Sequence, residues 1–132
     1  MFEVATQEMR RVAAMDPREF RREDVVPAIR ALAQLRSMAE GAIAGLTMRL
    51  EADQIHADDQ YGSAAACLAA ETNVSRPMAN RVVQQARAFR DLPATLDALQ
   101  AGTITIAHAE VLMGAMNLRT RAAMAIDERE AA

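Results

Sequence analysis

The chain has 132 residues, 52% of them apolar, and a formal charge of −3; this fits a folded domain with a real core and excludes both a disordered tail and a strongly basic nucleic-acid binder. With three Phe, one Tyr and no Trp, the core falls to Ala, Leu, Val, Ile and nine Met, which favours close, adaptable helix contacts. A single cysteine closes no internal disulfide, no run reaches the apolar length of a membrane span, and MFEVATQEMRRV lacks the basic-then-apolar order of a signal peptide, so a reducing, cytoplasmic setting is expected.

Taken in chain order, the pattern is helical nearly throughout and predicts an all-α, multi-helix bundle. Phe2 to Ala14 reads as a first helix, ended by Asp16-Pro17, where Asp16, Pro17 and Glu19 form a fresh cap. Asp24 is expected to cap a long helix running to His56, with Pro27 in its first turn. Along it Val25, Ile29, Leu32, Leu35, Ala39, Ile43, Leu46 and Leu50 recur at helical spacing as an amphipathic stripe. That stripe is expected to face the bundle core, with a homodimer through the same helix as the alternative. Gly41 and Gly45, four apart, leave room for another helix to approach.

The segment Ser63–Arg90, SAAACLAAETNVSRPMANRVVQQARAFR, carries the residue order of a helix-turn-helix. Leu68 and Ala69 are expected on the inner face of its first helix. Asn73 holds the turn, because its short amide bonds locally and tolerates the left-handed backbone. Val74 follows as a core residue, Ser75 is an N-cap, and Pro77 falls where its missing donor costs nothing. A second helix from about Arg76 then buries Ala79, Val82 and Val83 and turns Ser75, Arg76, Asn80, Arg81 and Gln84 outward. Those side chains suit a major groove entered by the helix N-terminus: Arg pairs with guanine, Asn or Gln with adenine, and Ser reaches phosphates. Arg87 and Arg90 are expected near phosphates. The local balance of four Arg against one Glu is only plus three, so binding through this chain alone should be weak. A polar-faced structural hairpin is the bland counterpart of this assignment.

Pro93 starts another helix that runs through Ala101, with Gly102 as its C′ residue. Thr105 caps the next, which sends Ile106, Ala109, Val111, Leu112 and Met116 toward a core. A last helix from about Arg119 ends in the polar DEREAA, which reads as a chain that once continued or was cut there. The whole is expected to be one domain over 1–132, organised as 1–56, 63–90 and 94–130, with Cys67 as a buried small hydrophobe.

The run from Tyr61 to Leu112 resembles the core of the domain of unknown function 222 family, found mainly in actinobacteria and often preceding an HNH endonuclease domain. The resemblance rests on Ser63-Ala64-Ala65, Leu68-Ala69, Val74-Ser75, Ala86-Arg87, Leu92-Pro93, Ala98-Leu99, Gly102 with Ile104, and His108-Ala109, and covers the preceding long helix loosely. Cys67 stands where the family usually has a tryptophan. No catalytic residues carry over from the family in this region. Leu92-Pro93, the segment Leu99 to Ile104 and His108-Ala109 are also similar to the central DNA-binding region of partition proteins, a mobile-element or chromosomal setting that agrees with DNA contact.

Catalysis fails by inventory. An HNH nuclease gathers a His base and further ligands around a metal, but the chain has only His56 and His108, no C-x-x-C pair and no strand hairpin, so the nuclease domain and any metal are expected to be absent. His56 with Asp58 and Asp59 reads as a solvated helix end, and His108 beside Thr105 as part of a helix start. No Gly-rich phosphate loop or nucleophile context points to a cofactor, a small-molecule ligand or an enzyme. Two functions remain: a DNA-binding accessory module of an HNH-associated protein, or a helical interaction and dimerisation domain without DNA contact.

Overall fold

In a computed structural model, residues 1–116 are described, and the helix expected from Arg119 lies outside them. Every regular element among the described residues is helical, so the all-α expectation is met. The chain divides into two compact units, one of Met1–Leu32 and one from Ala33 onward.

The first unit holds α1 (Glu3–Ala13), a 3-10 turn at Pro17–Glu19 and the start of α2 (Arg22–Ala52). The Asp16 carboxylate accepts from the Arg18 N–H at 3.0 Å and so caps that turn, as its place before Pro17 suggests. α2 begins two residues before the expected cap: Asp24 lies in its first turn and favours the helix through the dipole instead. The earlier start also places Pro27 inside the helix, where it removes the N–H that the Glu23 carbonyl would otherwise accept.

The second unit is built on the rest of α2, then α3 (Ile55–Asp58), α4 (Ala64–Thr72), α5 (Arg76–Phe89), α6 (Pro93–Gln100) and α7 (106–116). α2 stops at Ala52, short of the expected His56, because Gln54 enters the left-handed region and α3 restarts as a single turn. Two apolar clusters hold the unit. One joins Ala44, Phe89, Leu99, Ala109 and Met113, and the other joins Ala64, Ala65, Ala79 and Val83. α5 serves both, with Ala79 and Val83 toward α4 and Phe89 toward the larger cluster.

The buried face of α2 is not its apolar stripe. Ser37, Gly41, Ala44 and Thr47 are the buried residues, whereas Leu35, Ile43 and Leu46 are 48%, 46% and 63% exposed. Close approach decides this. A Cβ on Gly41 would lie 2.9 Å from the Gln100 Cγ and backbone nitrogen, so only a glycine admits the end of α6 there, and the Gln100 amide donates to the Gly41 carbonyl at 3.3 Å. Ser37 and Thr47 tolerate burial because their hydroxyls donate to the Ala33 and Ile43 carbonyls one turn back, at 3.1 and 2.7 Å. The expectation that the stripe faces the core is therefore corrected. Leu50 alone among its later residues packs on a cluster.

Downstream, the local signals act as expected. Gly102 has φ +75° just past α6, its N–H donates to the Leu99 carbonyl, and the Thr103 N–H reaches Ala98, a Schellman closure. The Thr105 hydroxyl accepts from the His108 N–H at 3.1 Å and caps α7. α7 turns Ala109 and Met113 inward and leaves Val111 and Leu112 exposed, which corrects the expected core list by one helical face.

Candidate nucleic-acid interface

α4 and α5 are joined by three residues, Asn73 to Ser75, and each has a distinct task. The Ser63 hydroxyl caps α4 by accepting from the Ala66 N–H at 3.1 Å. Asn73 adopts φ 55°, ψ 46°, and the left-handed step lets the Val74 N–H close on the Ala69 carbonyl at 3.2 Å. Ser75 then starts α5, its hydroxyl accepting from the Met78 N–H at 3.3 Å, with Pro77 in the first turn.

What lets the two helices meet is small size. Ala79 is fully buried against Ala64 and Ala65, so the backbones come close without a gap. Val74 is exposed, not a core residue, because the left-handed step at Asn73 carries it past the contact. Leu68 and Ala69 are half-buried around the cluster, Val82 is likewise half-buried, and the deepest positions of α4 are Ala64, Ala65 and Cys67. Burial raises the Cys67 thiol above its ordinary range and keeps it protonated.

At about 100° per residue, the buried side of α5 leaves one exposed arc containing Arg76, Pro77, Asn80, Arg81, Gln84 and Arg87. Arg76, Asn80, Gln84 and Arg87 form a row along one edge and the middle of that arc, and Arg81 stands at the other edge. Asn80, Gln84 and Arg87 line an open cleft of about 500 Å3 that also includes Glu51, His56 and Ser63. Arg76 reaches across to donate to the Ser63 hydroxyl at 3.2 Å, so the caps of α4 and α5 are tied together. Asn80 and Gln84 make no hydrogen bond to any of the described residues and present free amide edges.

The flanking arginines are already engaged. Arg87 makes a two-pronged contact with the Glu51 carboxylate at 2.8 and 2.7 Å, and Arg90 approaches the same group at 3.5 Å. The Arg87 hydrogen bonds hold the Glu51 carboxyl below its usual range, and the carboxylate in turn raises Arg87. On the far edge, Arg81 and Gln85 both donate to one oxygen of Glu110, at 2.9 and 2.7 Å. The centre of the exposed arc is thus neutral and free, and of Arg76, Arg81, Arg87 and Arg90 only Arg76 carries a charge without an acidic partner among the described residues. Glu51, Glu110 and Ser63 are parts of this surface that the sequence does not single out.

A model of the family described as a domain of unknown function (DUF222) matches residues 27–132. The chain belongs to that family. In this DUF222 chain the match begins inside α2 and includes the whole α4–α5 unit. No curated protein and no solved structure matches the chain significantly. No helix among the described residues is long and apolar enough to cross a membrane, and they contain no cluster of His, Cys, Asp and Glu suited to a metal. His56 and the adjacent Asp58 and Asp59 accordingly form no such group, and His108 is exposed at the start of α7.

Proposed function

We propose that this chain is a DNA-binding accessory module, a helix-turn-helix without catalytic residues of its own, working in the cytoplasm beside a nuclease of HNH type. The observation that carries this is the outward arc of α5: Arg76 and Asn80 stand exposed in the first turns, and Gln84 one turn further on, of a helix entered through a three-residue, left-handed turn. Such a helix meets a major groove with its N-terminal turns, and free amides there are bidentate partners for adenine N6 and N7. Arg76 supplies a guanidinium for guanine or phosphate. The likeness of the segment Leu92 to Ala109 to partition proteins supports DNA as the partner. The internal pairing of Arg81, Arg87 and Arg90 keeps affinity low and leaves contact to the neutral centre of the arc.

The test is a salt-titrated anisotropy measurement on duplex DNA. Arg76→Ala should flatten the plot of log affinity against log salt by about one unit, the value for one phosphate contact. Asn80→Ala with Gln84→Ala should leave the slope and erase preference among sequences. Absence of binding by the wild-type chain at low salt overturns the proposal.

A further inference from the structure

We infer that the exposed face of α2 pairs with the same face of a second copy of this chain, the two helices running antiparallel. Within the second unit, Leu35, Ala39, Ala42 and Leu46 are all exposed and follow one another at spacings of four, three and four. That is the spacing of a helix–helix seam. Its order, large, small, small, large, is the same in both directions. A two-fold axis between Ala39 and Ala42 therefore sets each Leu35 against Leu46 of the other copy, and each Ala39 against Ala42, which is the self-complementarity an isologous contact requires.

The self-complementary order selects a second copy as the occupant, and charge selects the direction. No charged residue interrupts the seam from Leu35 to Leu46, whereas its next position is Arg49, exposed and, among the described residues, paired only with Asp53 at 3.3 Å. A parallel pairing would place Arg49 against its own copy. An antiparallel pairing puts the two at opposite ends, roughly 25 Å apart at 1.5 Å per residue.

Size fixes the strength. The four-residue seam covers only about 16 Å of helix. Beside it, the exposed Ile43 borders a groove of about 340 Å3 lined by Met78, Val82 and Ile106 together with Glu40, Arg81 and Glu110, and the apolar part of that groove widens the contact. Even so, the surface falls at the low end of the roughly 800 Å2 per partner of a standard interface, so the dimer should be weak and concentration-dependent. This pairing is independent of DNA contact, and its test uses none.

Sedimentation equilibrium of the 132-residue chain across the micromolar range should show a monomer–dimer equilibrium. Leu46→Glu should weaken it by at least about tenfold with unchanged circular dichroism. Val111→Glu, an equally exposed position on α7, should leave it intact. In a Cys67→Ala background, Leu35→Cys and Leu46→Cys chains should form a disulfide when mixed and not when separate, because each position is too far from its own copy for the bond. A wild-type chain that stays monomeric, a dimer indifferent to Leu46→Glu, or a disulfide formed by Leu35→Cys alone overturns the inference.

Discussion

Under the proposed DNA contact, Glu51 would compete with phosphates for the arginines at the end of α5, and its removal offers a direct measure of that competition. In Glu51→Gln the bidentate contact at 2.7 and 2.8 Å loses its charge, and the 3.5 Å approach of Arg90 loses its partner. The patch formed by these three side chains changes from plus one to plus two. The fold should survive, since Glu51 lies at the rim of an open cleft and glutamine keeps its shape. Each arginine that turns to a phosphate adds about 0.9 to the negative salt slope; at about 50 mM salt that is worth roughly tenfold in affinity, and two such contacts bound the gain at about a hundredfold. Anisotropy titrations of wild type and variant on one duplex at several salt concentrations give both quantities. A Glu51→Gln chain with wild-type slope and affinity would refute the placement of Arg87 and Arg90 beside the DNA backbone. The same gain from Glu110→Gln alone would move the contact to Arg81.

Other expectations concern the scaffold that presents this surface. Leu99→Ala removes a fully buried side chain from the larger cluster and should cost about 2–5 kcal/mol by urea unfolding, a large part of a small domain's stability. At the left-handed turn, Asn73→Gly should be nearly neutral and Asn73→Val should cost about 1–2 kcal/mol; equal losses would mean that the amide rather than the backbone shape matters. For pH, the Glu51 carboxyl is held below its ordinary value by Arg87, so its contribution is present above about pH 4.3 and is lost as pH falls through the lower folded-state value. The thermal midpoint should therefore be insensitive to this group from neutral pH down to about 4.3, and Glu51→Gln should flatten the acid limb below it.

Much of the α4–α5 unit is legible in the sequence because its signals are local. Asn73 and Ser75, and beyond that unit Gly102 and Thr105, act on backbone groups within a few residues, and each does in the structure what its residue type implies. The α2 stripe shows where that legibility ends. Periodicity identifies an apolar face but carries no information on what meets it, and a glycine contact with α6 sends Leu35, Ile43 and Leu46 outward.

By itself, then, the chain determines its helices, their caps, the left-handed turn and the polar composition of α5, since these rest on spacing and on hydrogen bonds between near neighbours. Tertiary structure alone decides which face of α2 is buried and which arginines remain free. The partners of Arg87 and Arg81 are Glu51 and Glu110, 36 and 29 residues away in sequence, and only packing brings such charges together. A guanidinium that reads as a DNA contact in one dimension is, in three, first a ligand of its own protein's carboxylate.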